Sequence, residues 1–173
     1  MDPSTEALAR RIDHTLLKPD ATEADIGQLC EEAARHGFWS VCILPSRLAL
    51  ARRLLAGTAV RLCTVIGFPL GGSTSAVKAF EAERAVAEGA DELDMVIDLG
   101  GLRDADPARV RRDIAGVVGA AAGRPVKVII ETSLLSDADK REACRLVVDA
   151  GAAFVKTATG FAGGGATVAD VTL

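Results

Sequence analysis

Short runs of β-branched and apolar residues alternate along this chain with longer runs whose apolar positions recur every three or four residues. The short runs predict strands at Ile12–Leu16, Phe38–Leu44, Arg61–Phe68, Glu92–Asp98, Val126–Glu131 and Phe154–Ala158. The longer runs predict helices at Glu23–His36, Arg47–Leu55, Ser75–Glu88, Pro107–Ala122 and Asp137–Ala150. Punctuation agrees with this order. Thr22 stands before Glu23 and Asp25 as an N-cap followed by carboxylates. Pro107 falls where a first helical turn tolerates proline. Gly37, Gly57, Gly89 and Gly151 follow helix ends, where a left-handed cap is common. Strict strand–helix alternation implies an α/β fold with a parallel sheet and helices over its faces. The run Val126, Val128, Ile129, Ile130 is apolar on both parities, as a strand buried on both faces requires.

Two architectures fit this alternation, an open doubly wound sheet and a closed eight-fold barrel. Successive predicted strands begin about 28 residues apart, so eight units need roughly 225 residues, near the lower end for a (β/α)8 barrel. Six strands are present, with the start of a further helix at Thr167-Val168-Ala169-Asp170, and the pattern stops at Leu173. As a barrel, residues 1–173 form a single domain of about six βα units, truncated before strands seven and eight.

Composition narrows the function. The net charge is −4, which argues against a basic nucleic-acid or anionic-membrane surface. One Trp, no Tyr and five Phe leave almost no stacking platform for single-stranded nucleic acid. Cys30, Cys42, Cys63 and Cys144 lie in apolar stretches without a C-x-x-C pair, which reads as reduced, buried thiols of a cytoplasmic protein. With only His14 and His36 beside them, no metal-ligand spacing emerges. The acidic start, Met1–Glu6, has no apolar run after it and is no secretory leader.

In either architecture, chemistry gathers at the C-terminal ends of the strands. Lys156 sits inside the apolar run Phe154-Val155-Lys156-Thr157. A buried lysine must be paired or neutral, and a neutral amine is a nucleophile toward carbonyls. Lys127 repeats the pattern one strand earlier, and two inward lysines would lower at least one pKa. The structural alternatives are a snorkelling or paired Lys156, and an ion pair of Lys127 with Glu131 or Asp94. Asp94, between Leu93 and Met95, is a buried partner or an acid/base. Asp91 and Glu92 begin that strand near solvent, and Asp98 ends it, in the site or solvated. On the first strand, Asp13, His14 and Thr15 line a pocket floor or bond neighbouring strands. Cys42 is a pocket wall or a small buried hydrophobe. Two glycine-rich turns follow strands, at 67–74 and 160–167, and the second leads into a helix N-terminus, which suits an anion. Neither matches a P-loop, and the first strand has no Gly-x-Gly-x-x-Gly after it, so a nucleotide cofactor is unsupported.

Five segments taken together resemble the deoxyribose-phosphate aldolases. They are Ile12-Asp13-His14-Thr15-Leu16-Leu17-Lys18-Pro19, Val65-Ile66-Gly67-Phe68-Pro69-Leu70-Gly71, Gly89-Ala90-Asp91-Glu92-Leu93-Asp94-Met95-Val96-Ile97, Lys127-Val128-Ile129-Ile130-Glu131-Thr132 and Phe154-Val155-Lys156-Thr157-Ala158-Thr159-Gly160-Phe161. The resemblance implies a TIM barrel and a class I aldolase without metal or other cofactor. Such enzymes reversibly cleave 2-deoxy-D-ribose 5-phosphate to D-glyceraldehyde 3-phosphate and acetaldehyde. It also implies roles: Lys156 forms the Schiff base and Asp94 relays protons. Lys127, Cys42, Asp13 and Thr15 line the substrate pocket, and Thr159 and Gly160 lie near the substrate phosphate. The family commonly forms homo-oligomers.

Ala158 stands where the family usually has Ser, and Asp98 where Asn is common. A second catalytic lysine and most of the phosphate grip belong to strands seven and eight, so the resemblance implies weak activity for residues 1–173 alone. Two other readings stay open: a Schiff-base barrel aldolase with a different carbonyl donor, and a non-catalytic remnant that binds a sugar phosphate or a partner.

Overall fold

The computed structural model describes residues 5–173. Met1–Ser4, part of the stretch read as no secretory leader, lie outside the described residues. Six strands are seen among those residues: β1 (Asp13–Leu16), β2 (Ser40–Ile43), β3 (Arg61–Ile66), β4 (Glu92–Val96), β5 (Val126–Ile129) and β6 (Phe154–Lys156). The helices are α1 (Thr5–Ala9), α2 (Glu23–His36), α3 (Leu48–Leu54), α4 (Ser75–Ala87), α5 (Leu99–Arg103), α6 (Pro107–Ala120), α7 (Asp137–Asp149) and α8 (Val168–Thr172). Single 3₁₀ turns occur at Pro45–Arg47 and Thr132–Leu134. Among the described residues, no helix is long and apolar enough to cross a membrane.

The chain divides into two compact units. The first holds the residues up to Val65 together with Ala85–Glu92. Here β1 pairs with β2 and β2 with β3, all parallel. The register sets Asp13 beside Ser40 and Thr15 beside Cys42, which in turn lies beside Cys63. Val41, Cys42 and Ile43 are fully buried, as are Ile26 and Ala33 of α2 and Leu48 and Ala51 of α3. The expected start of α2 is a full capping box: Asp25 N donates to Thr22 Oγ1 and Thr22 N to the Asp25 carboxylate. At the strand beginnings, Trp39 Nε1 donates to Glu92 Oε1 at 2.7 Å, and the Arg61 guanidinium lies 4.1 Å from the Trp39 ring centroid. Glu92 is therefore buried, not solvated as expected, because the Trp39 indole covers and binds it.

The second unit holds Ile66–Arg84 and Leu93–Leu173. In it β4 pairs with β5 and β5 with β6, again parallel. Every residue of β4 and β5 is buried, in line with apolar residues on both parities. Val110, Ile114 and Val117 of α6 and Ala143, Leu146 and Val147 of α7 complete this core. A second capping box starts α7, with Ser136 and Asp139 as its pair.

Most predicted strands run a residue or two too far at their C-terminal ends, and at two of them a left-handed residue follows. β3 stops at Ile66 because Gly67 turns to φ 62°. β5 stops at Ile129 because Glu131 adopts φ 53°, ψ 65°. Left-handed residues break a ladder, and Glu131 is not glycine, so its conformation costs about 1–3 kcal/mol. Helix α5 escaped prediction because Gly100 and Gly101 mask its periodicity. Asp98 caps it by accepting from Gly101 N at 3.0 Å.

Candidate active site

The parallel register of the second unit puts Asp94 beside Lys127 and Ile129 beside Lys156. Alternation then sends Asp94, Lys127 and Lys156 to one face of the three strands. Their side chains meet. Lys127 Nζ donates to Asp94 Oδ1 at 2.9 Å, and Lys156 Nζ to Asp94 Oδ2 at 2.5 Å. The Asp94 side chain is fully buried, Lys127 is 11% exposed and Lys156 31% exposed. Burial pushes the Asp94 carboxyl upward, but the charges and hydrogen bonds of Lys156 and Lys127 outweigh it and hold its pKa below the ordinary carboxylate value. Of the alternatives for Lys127, the pair with Asp94 forms and the pair with Glu131 does not. Lys156 is less buried than an apolar strand suggested, because Phe154 and Val155 on β6 are themselves exposed.

Glu131 was not among the candidate functional residues, and it occupies the end of β5. It is buried, and its Oε2 accepts from both Thr159 N, at 3.1 Å, and Thr159 Oγ1, at 2.5 Å. Thr159 Oγ1 also accepts from Phe161 N at 3.0 Å. Oε1 of Glu131 is buried without a hydrogen-bond partner, a cost of about 1–3 kcal/mol. Thr159 is thus bound to a carboxylate, while Gly160 is exposed at φ 83°. No sequence signal betrays Glu131, since its role depends on a backbone angle.

The other candidates belong to the first unit or to the end of β4. Asp13, Thr15 and Cys42 share one face of the first unit's strands. Asp13 Oδ1 accepts from Ser40 Oγ at 2.7 Å, exposed Thr15 donates to Asp13 O at 2.8 Å, and Cys42 is fully buried. His14 points to the other face and pairs with Glu32 at 2.8 Å. Asp98 is neither in the cluster nor simply solvated. It pairs with Arg109 at 2.7 Å while capping α5. Cys30 and Cys63 are buried as expected, whereas Cys144 is half-buried.

A second buried lysine was also missed. Lys78 on α4 has no exposed surface, and its Nζ donates to Asp113 Oδ2 at 2.6 Å and to Val96 O at 3.0 Å. The signal was present: Lys78, Ala82 and Ala85 form a buried stripe at i, i+4, i+7.

The second unit therefore brings a buried carboxylate and two lysines together on parallel strands. The comparisons name the family. Residues 8–172 match the DeoC/LacD family aldolases. The chain is 55% identical over 170 residues to deoxyribose-phosphate aldolase 1 of Bacillus licheniformis, covering 98% of this chain and 76% of that protein. A solved structure from Coccidioides immitis matches with a TM-score of 0.96 at 41% identity, covering 98% of this chain and 67% of its own. The deoxyribose phosphate aldolase of Aeropyrum pernix, described as tetrameric, matches with a TM-score of 0.85 at 40% identity, over 92% of this chain and 67% of its own. The chain belongs to the DeoC/LacD aldolases. Its fold class is the (β/α)8 barrel, of which these residues supply about six βα units.

Proposed function

We propose that this chain is a class I aldolase polypeptide that reversibly cleaves 2-deoxy-D-ribose 5-phosphate to D-glyceraldehyde 3-phosphate and acetaldehyde. The observation that carries the reading is the convergence of Lys127 and Lys156 on buried Asp94, with Lys156 the more open of the two lysines. Two lysines on one carboxylate place two amines beside a single proton acceptor, the arrangement a Schiff-base reading needs. Lys156 is taken as the nucleophile because it stands in the segment Phe154–Phe161 that resembles the Schiff-base motif of the family.

Lys156 Nζ adds to the open-chain aldehyde carbon, and water leaves to give a protonated imine. A base then takes the proton of the C3 hydroxyl. The C2–C3 bond breaks, and its electron pair moves toward the imine nitrogen. Glyceraldehyde 3-phosphate departs, leaving the enamine of acetaldehyde. Protonation at C2 and hydrolysis return acetaldehyde and free Lys156. Asp94, kept ionised by its lysines, carries protons between these steps. Lys127 holds Asp94 and adds positive charge beside the imine. The family resemblance assigns Cys42, Asp13 and Thr15 to substrate contact, and the turn of Thr159 and Gly160 to the phosphate. The same reading includes a cytoplasmic, self-associating enzyme, and a solution mass at a multiple of 17.9 kDa would support the self-association.

The test is product analysis with deoxyribose 5-phosphate and, in parallel, with larger carbonyl donors offered to glyceraldehyde 3-phosphate. Release of acetaldehyde and glyceraldehyde 3-phosphate is expected. A preference for a larger donor points instead to another Schiff-base aldolase. Absence of carbonyl adducts with every donor overturns the enzymatic reading.

A further inference from the structure

We infer that Glu131 is a positioning residue that holds the turn after β6 in the shape that receives the anionic end of the substrate. The inference rests on the aldolase reading above and assigns Glu131 a role within it. Three links tie the end of β5 to the end of β6. Ile130 N donates to Lys156 O at 2.9 Å, and Thr132 N donates to Thr157 O at 2.8 Å. The third comes from a side chain: Glu131 Oε2 accepts both the backbone N–H and the hydroxyl of Thr159. The backbone bonds reach Thr157, and this carboxylate extends the connection two residues further, to Thr159.

The arrangement carries two costs that the fold alone does not require. Glu131 is left-handed at φ 53°, and its Oε1 is buried without a partner. A glycine at this position would relieve the first and remove the second. Left-handed strain and an unsatisfied buried oxygen at one residue, beside a reactive lysine's strand, mark a group kept for geometry. What the carboxylate orders is specific. Thr159 Oγ1 donates to Glu131 and accepts from Phe161 N, so a single hydroxyl relays the carboxylate's position to both sides of Gly160. Gly160 is exposed in a left-handed conformation. Because Glu131 takes the Thr159 N–H, that group serves the turn and not the substrate. Lys156 has its own anchor in Asp94, so loss of Glu131 disturbs the turn more than the amine.

The test compares wild type, Glu131→Gly and Glu131→Gln by two measurements. The first is amide hydrogen exchange over residues 157–161. The second is the concentration dependence of borohydride trapping with deoxyribose 5-phosphate and with acetaldehyde. Glu131→Gly should keep or raise the melting temperature and speed exchange at Thr159 and Phe161. It should raise the half-saturating sugar phosphate concentration about tenfold, as loss of a charge-assisted hydrogen bond does. Acetaldehyde trapping should stay within about twofold of wild type, because a small neutral aldehyde does not use the turn. Glu131→Gln should fall between. If Glu131→Gly does not fold, Thr159→Val removes the hydroxyl link alone and Thr159→Ser restores it, with the same expected split between substrates. Faster exchange with unchanged sugar phosphate saturation overturns the inference. So does an equal loss with both carbonyls, which makes Glu131 a support of Lys156. A wild-type chain that traps no acetaldehyde overturns the aldolase reading itself, a result distinct from either.

Discussion

Lys78 and Lys156 both answer a buried aspartate in the second unit, yet their surroundings differ. Lys78 has no exposed surface and faces Asp113, which is 2% exposed, with Val96 O as a further acceptor. One cation meets one anion and a carbonyl, sealed from water, and nothing is left over to react. At Asp94 two cations meet one carboxylate, and Lys156 remains 31% exposed. On the proposed function, burial of a lysine is not what makes it reactive; the balance of charge around it and a path for the carbonyl decide. The first arrangement ties α4 and α6 to the end of β4, and the second ties β5 and β6 to β4.

Three substitutions should separate the two sites. Lys156→Arg should abolish carbonyl adduct formation at this position with little change in melting temperature, because arginine keeps the charge toward Asp94 but cannot form the imine. An adduct surviving at full yield elsewhere would move the nucleophile. Asp94→Asn should fold but lose about 10²–10⁴-fold in turnover, the usual cost of a lost general acid/base. Near-normal turnover would leave Asp94 a structural partner only. Lys78→Met should do the reverse: unfolding stability falls by about 3–5 kcal/mol because Asp113 is left buried and unpaired. Adduct formation by the folded fraction should stay close to wild type. A variant as stable as wild type would show that this pair is not holding the fold.

A smaller effect sharpens the same contrast through pH. The Asp94 pKa is lowered from 3.8 in the folded chain despite burial, by the lysines beside it. A lowered carboxyl stabilises the fold above its unfolded value, and that contribution is lost as pH falls through the folded value. Thermal unfolding followed downward from about pH 4 should therefore show wild type losing stability faster than Asp94→Asn. Parallel curves would mean that Asp94 does not stay ionised below its ordinary range.

How far the sequence could be read follows from which signals are periodic. Helices α2, α4, α6 and α7 were legible from their apolar stripes and caps, with ends displaced by a residue or two at most. The strands were legible as apolar runs, and Asp94, Lys127 and Lys156 stood out because a charge inside such a run must be answered by something. Lys78 was hidden by the same logic: a lysine on an amphipathic helix reads as solvated, and only its spacing with Ala82 and Ala85 gives it away. Glu131 was hidden because a run such as Val-Ile-Ile-Glu-Thr does not state where its ladder stops. A single left-handed residue turns that glutamate inward onto Thr159.

The central claim is that Lys156, and neither Lys127 nor Lys78, is the amine that meets the carbonyl. Borohydride reduction in the presence of acetaldehyde, followed by peptide mapping, tests it directly. The account predicts a two-carbon addition on the peptide bearing Lys156, with Lys127 and Lys78 unmodified. A label confined to Lys127, or a chain that takes up no label at any lysine, would contradict it.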